Sequence, residues 1–205
     1  MEKVDFKKDL DYLFKPSSKE FTVISVPPLK YLMVDGEGNP NTSVDYMKAI
    51  EALYSVSYTL KFMSKNELGQ DYVVPPLESL WWADDMSAFS KGNKDVWKWT
   101  AMIMVPDWIT KPMVKAAVKA ASQKKENSKL AELRHETLKE GKSVQILHIG
   151  PYDKEGPTLN KMHNEFMPAN GLTFHGKHHE IYMSDPRKVE PSKLRTVVRQ
   201  PVKKA

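Results

Sequence analysis

The chain has 205 residues, 40% of them hydrophobic and 28% charged, with a formal net charge of +5 and no cysteine. That balance suits a globular chain with a real core, and the missing cysteines exclude disulfides, thiol nucleophiles and thiolate metal sites. No apolar run approaches the roughly 20 residues of a membrane helix, and the charged stretch from Met1 to Lys8 has no apolar segment behind it, so a cytoplasmic location without membrane association is expected. The lysines are dispersed and not interleaved with stacking or groove-reading groups, so no direct nucleic-acid binding is expected.

Residues 1–19 read as a lead-in, with Leu10, Leu13 and Phe14 at helical spacing for a brief docking helix. From Glu20 to Val34 the β-branched and aromatic residues predict extended chain, interrupted by Pro27-Pro28. A turn cluster, Gly36 to Asn41, precedes a helix from Ser43 to Lys65, with Ser43 as a candidate cap and Tyr54 and Tyr58 four apart on one face. Pro75-Pro76 introduces a strand, Leu77-Glu78-Ser79-Leu80-Trp81-Trp82. A polar loop from Asp84 to Asn93 leads to a second strand that alternates Trp97, Trp99, Ala101 and Ile103 on one face with Lys98, Thr100, Met102 and Met104 on the other. Residues 109–141 predict a helical connector whose lysines and Glu126, Glu132, Glu136 and Glu140 form a solvated face, with Gly141 as its stop. Val144 to Gly150 then reads as a strand, Glu155 to Pro168 as a helix, His178 to Ser184 as a strand and Leu194 to Pro201 as the last strand.

The order strand, helix, Glu-bearing strand, strand therefore occurs twice. Matching landmarks, Gly36 with Gly150, Ser43 with Glu155, Glu78 with Glu180 and Pro106 with Pro201, drift in separation from about 114 to 112, 102 and 95 residues, the mark of a divergent duplication and not of a fixed-period array. The predicted fold is α+β: two pseudo-symmetric strand-helix-strand-strand modules, about 20–108 and 142–205, forming a ligand groove between antiparallel sheets. Period two puts His178, Glu180, Tyr182 and Ser184 on one strand face and His179, Ile181 and Met183 on the other. With the latter packed under helices, Glu180 and Tyr182 would look away from them, and Glu78 would be the counterpart of Glu180.

His148-Ile149-Gly150-Pro151-Tyr152-Asp153, Glu155-Gly156-Pro157-Thr158, His179-Glu180-Ile181-Tyr182-Met183-Ser184-Asp185-Pro186 and Thr196-Val197-Val198-Arg199-Gln200-Pro201-Val202, in that order, resemble the GyrI-like small-molecule-binding family of the SOUL/GyrI superfamily. The resemblance runs from about Glu20 to the end, as one domain over 20–205. It implies a drug-sensing, gyrase-inhibitor-like or stand-alone protein. Leu53-Tyr54-Ser55-Val56-Ser57-Tyr58 and Leu80-Trp81-Trp82-Ala83-Asp84-Asp85 are similar to a stand-alone, tryptophan-rich group, some of whose relatives hydrolyse the cyclopropane of duocarmycin-type DNA alkylators.

The implied partner is thus an aromatic or electrophilic small molecule; a gyrase interaction is disfavoured for so basic a chain. Opening a strained ring conjugated to a carbonyl needs a base for water, a donor to the developing oxyanion and flat apolar walls. Glu180 is the candidate base and Tyr182 its catalytic companion, with Tyr152 as the other candidate donor. Tyr54, Tyr58, Glu78, Trp82, Trp97 and Trp99 are candidate ligand-binding residues. Against this stand plainer readings: tryptophans as core, and Glu180 as an ion-paired strand carboxylate or an attractor of cationic ligands in a non-catalytic multidrug-binding or sequestering protein. No metal is expected, since adjacent His178 and His179 face opposite ways on a strand and His175 adds no second cluster. His163 reads as a surface or hydrogen-bonded histidine. No cofactor is expected, since no glycine-rich phosphate loop or G-x-S-x-G elbow is present.

Overall fold

The computed structural model describes residues 3–85 and 92–205, so most of the predicted loop from Asp84 to Asn93 lies outside the described residues. Its strands are β1 (Lys3–Val4), β2 (Thr22–Val26), β3 (Leu29–Glu37), β4 (Asp71–Tyr72), β5 (Leu77–Trp82), β6 (Lys98–Val105), β7 (Arg134–Leu138), β8 (Gly141–Ile149), β9 (Leu172–Phe174), β10 (His178–Tyr182) and β11 (Arg195–Lys204). The α-helices are α1 (Phe6–Asp9), α2 (Asp11–Phe14), α3 (Val44–Glu67), α4 (Lys111–Lys124), α5 (Gly156–Lys161) and α6 (Met167–Ala169). The fold is α+β, and the chain divides into a first unit, Met1–Asp9 with Leu29–Leu138, and a second, Leu10–Pro28 with Lys139–Ala205.

In the first unit β5, β6, β3 and β7 form an antiparallel sheet in that order. Ser43 caps α3 by accepting the Tyr46 amide at 3.2 Å, which satisfies one of the amides a helix start leaves unpaired. The inner face of α3 (Ala49, Leu53, Val56, Leu60) packs on Leu32, Val34, Trp81, Trp99, Ala101 and Ile103. Trp99 fits only because Gly36 stands opposite it: a Cβ there would come within 2.3 Å of the indole. Lys61 of α3 ion-pairs with Asp71, fixing the start of β4, which also pairs in parallel with β1.

The connector is helical only as far as Lys124. Thr110 caps α4, but Arg134–Leu138 is strand β7 on the edge of β3. The expected helix over 109–141 is corrected because the alternating residues from Arg134 to Leu138 find partners there: Arg134 reaches Asp35 at 2.7 Å and Leu138 lies opposite Leu29. Lys129, expected on a solvated face, is buried and held by Glu132 at 2.8 Å and Asp45 at 3.4 Å. Gly141 is no helix stop; its φ of +68° opens β8, a left-handed conformation natural to glycine.

The second unit orders its strands β2, β8, β11, β10, with β9 also paired to β11. Strand, helix, strand, strand thus recurs with the same pairing, β6 central in one unit and β11 in the other. The helical run is α5, a π-helical turn over Met162–Phe166, and α6. Its Met162 and Met167 pack on Val144, Ile146 and Val198.

The other face of this sheet carries a buried polar network. Arg199 donates to Glu140 Oε2 at 3.1 Å, to Gln145 Oε1 at 3.0 and 3.1 Å, and to the Leu13 carbonyl at 2.8 Å. His179 Nδ1–H donates to Glu140 Oε1 at 2.9 Å, and Gln145 Nε2 donates to the Tyr12 carbonyl at 2.6 Å. Glu140 is therefore not a solvated glutamate: its side chain is 3% exposed. Through this network the lead-in docks, with Leu13 and Phe14 of α2 buried.

Candidate functional site

Registers settle which way each strand residue faces. Glu180 pairs with Val198 and Val198 with Ile146, so Glu180 shares the face that carries the helical run of its unit. Glu78 pairs with Met102, while its neighbour Ser79 bonds to Tyr46 of α3 at 3.0 Å and Trp81 lies 5.7 Å from the same ring. Glu78, Leu80 and Trp82 therefore face away from α3. The two glutamates are not counterparts: one points to its unit's helix and the other away. The expectation that Glu180 looks away from the helices is likewise corrected, since His179 and Ile181 turn to the buried polar side.

Glu180 is the centre of a compact group in the second unit. The Tyr182 hydroxyl donates to Glu180 Oε2 at 2.8 Å, and His178 Nε2 stands 3.4 Å from Oε1. The Tyr152 ring meets that of Tyr182 edge-on at 5.6 Å. Burial, then the negative charges of Glu180, Glu155 and Asp185, push the Tyr152 phenol up to about 12, so it is a proton donor throughout the neutral range. The Glu180 side chain is 15% exposed, so the carboxylate is shielded yet open to solvent at one side.

The π-helical turn brings a further group. His163 packs on Phe174 at 4.9 Å and on His178 at 6.5 Å, and its Nε2 is buried without a hydrogen-bond partner. It is neither a surface nor a hydrogen-bonded histidine at that nitrogen, contrary to expectation. Burial, followed by the nearby His178, pulls its pKa down to about 4, so it is neutral at pH 7. No residue pattern in the sequence marks His163, because the extra residue of a π-turn shifts the helical face.

The other expected site residues do not join this group. Trp99 is fully buried beneath α3, edge-on to Tyr46 at 4.9 Å, and is core. That corrects its reading as a ligand-stacking surface: an indole with no exposed face has none to offer a ligand. Trp97 is partly buried against Trp81 at 5.8 Å, and Tyr54 stacks with half-exposed Tyr58 at 6.4 Å along α3. Trp82 lies with buried Glu78 on the face remote from α3. Among the described residues no three His, Asp or Glu side chains are arranged to hold a metal ion, and no helix is long and apolar enough to cross a membrane.

The second unit thus gathers Glu180 and Tyr182 on one face of β10 with Tyr152 of the turn after β8 edge-on to Tyr182, within an α+β module that occurs twice. The family profile of the GyrI-like small molecule binding domain matches residues 19–203, and the chain belongs to that family. An uncharacterized conserved protein from Listeria innocua superposes with a TM-score of 0.90 at 37% identity, covering 98% of this chain and 100% of that chain. Two Listeria innocua structures described as hydrolases superpose with TM-scores of 0.84 and 0.88 at 37% and 36% identity and the same coverage. The EcmrR C-terminal domain, 13% identical with a TM-score of 0.57 over 91% of this chain and 98% of its own, shares the fold alone. No protein of curated function matches the chain.

Proposed function

We propose that this protein binds a flat, electrophilic small molecule and hydrolyses it, opening a strained cyclopropane of the duocarmycin type, with Glu180 acting on water. The observation that carries the reading is the hydrogen bond from Tyr182 to Glu180 Oε2, which joins a base and a proton donor in one unit. Glu180 Oε1 takes a proton from water as the water oxygen bonds to the ring methylene. The cyclopropane C–C bond breaks and its electron pair moves through the conjugated ring to the carbonyl oxygen. Tyr182 gives its proton to that oxygen, and Glu180 returns the water-derived proton to Tyr182, so that one water is added and the protein is regenerated. Tyr152, protonated and edge-on to Tyr182, supports the donor side. The description of two relatives at 36–37% identity as hydrolases favours turnover over sequestration.

The test is incubation of a cyclopropane-bearing duocarmycin-type compound with sub-stoichiometric protein, following the ring-opened product by mass spectrometry. Product beyond one equivalent is expected, and Glu180→Gln is expected to slow it about 10²- to 10⁴-fold, the usual worth of a positioned general base. Tight binding with no turnover would replace this reading by a sequestering one, in which Glu180 attracts cationic ligands. Detoxification of DNA alkylators is the physiological role that the catalytic reading implies.

A further inference from the structure

His178 is buried, stands 3.4 Å from Glu180 through Nε2, and neither of its ring nitrogens has a hydrogen-bond partner. Buried polar groups are normally satisfied, and an unsatisfied one costs about 1–3 kcal/mol. An apolar side chain of similar size would fill this space without that cost. The His178 ring is also braced from behind: His163 meets it at 6.5 Å, and His163 is in turn clamped by Phe174 at 4.9 Å. The brace stands on the π-helical turn over Met162–Phe166. The Glu180 carboxylate is thus gripped unequally, Tyr182 bonding Oε2 at 2.8 Å while Oε1 faces His178.

We infer that His178 is a positioning residue for Glu180: in its Nε2–H tautomer it donates to Oε1 when ligand binds, fixing the carboxylate so that Oε1 meets the attacking water. This rests on the hydrolytic reading above. Hydrogen bonds at catalytic groups are often long until the Michaelis complex forms, and 3.4 Å closes to bonding distance by a small ring rotation. His163, uncharged at neutral pH, supplies a rigid neighbour that adds no competing positive charge beside His178.

The experiment compares His178→Leu and His178→Gln in turnover of the duocarmycin-type compound. Leu keeps bulk and removes the donor; Gln carries an amide N–H to nearly the Nε2 position. His178→Leu is expected to lower kcat about 10- to 100-fold with KM nearly unchanged, the effect of a small misplacement of a reacting group. His178→Gln is expected to recover most of that loss, and His178→Leu to have no further effect on a Glu180→Gln background, because coupled residues are not additive. Wild-type kcat in His178→Leu, or equal losses in Leu and Gln, overturns the inference while leaving hydrolysis by Glu180 intact. Absence of turnover in the wild type overturns the hydrolytic reading itself, and this inference with it.

Discussion

Replacing Glu140 by leucine removes the only carboxylate in contact with Arg199 among the described residues. Both side chains are nearly sealed, 3% and 1% exposed, and Glu140 also accepts from His179 at 2.9 Å. Arg199 would retain Gln145 and the Leu13 carbonyl, but these neutral acceptors do not balance a buried guanidinium. Stranding one charge of such a pair costs about 3–5 kcal/mol. For a chain of this size each kcal/mol moves the melting midpoint by about 2–4 °C, so a drop of roughly 6–20 °C is expected. Far-UV circular dichroism is the appropriate probe, because all five tryptophans lie in the first unit while Glu140 and Arg199 lie in the second. Adding Arg199→Met to Glu140→Leu should restore most of the loss, since an apolar pair of similar volume replaces a buried ion pair at little cost. A loss below about 1 kcal/mol in the single variant would refute the reasoning, showing that the polar groups around Arg199 carry its charge without Glu140.

The same site sets an acid limit. Burial alone would raise the Glu140 carboxyl, but His179 and Arg199 outweigh it and hold the group at about 2. The unfolded chain therefore takes up the proton first, and roughly 3 kcal/mol of stability present above pH 5 should be lost as pH falls toward 2; denaturant midpoints between pH 6 and 3 should show a smaller decline in Glu140→Gln. Gly36→Ala should destabilise by about 1–3 kcal/mol in urea titrations, because the new methyl meets the Trp99 ring in a packed core. In NMR titrations the His163 ring signals should stay at their neutral positions from pH 8 to 5, as a pKa of about 4 requires; titration near 6.5 would show the ring to be hydrated.

Much of the fold is legible in the sequence because its periodicities are strong. Ser43 marks the start of α3, Pro75-Pro76 separates β4 from β5, and two runs of equal order give two units of equal connectivity. Glu180, Tyr182 and Tyr152 were also legible as a group, the first two from period two and Tyr152 from the family resemblance. The side of the sheet that Glu180 faces was not, because β10 is largely buried on both faces: His179 and Ile181 on one, His178 on the other. Alternation tells which residues share a face but not which face meets a helix. The Glu140–Arg199 pair, 59 residues apart, leaves no local signal at all. Nor does β7, whose charged, alternating residues suit an exposed helix as well as an edge strand and are decided by the free edge of β3.

The arrangement of the chain between the two units bears on how the protein is made. The four-stranded sheet of the first unit, with α3 and α4, is encoded without interruption between Leu29 and Leu138. The second unit is sewn from the two ends: β2 leaves the ribosome about 120 residues ahead of β8, its only partner among the described strands. Until β8 is made, Val23, Ile24 and Val26 lack the strand that they pair with in the folded protein. The hazard of stray pairing with another nascent chain thus belongs to biogenesis, and ends when the final third of the polypeptide arrives to claim its own beginning.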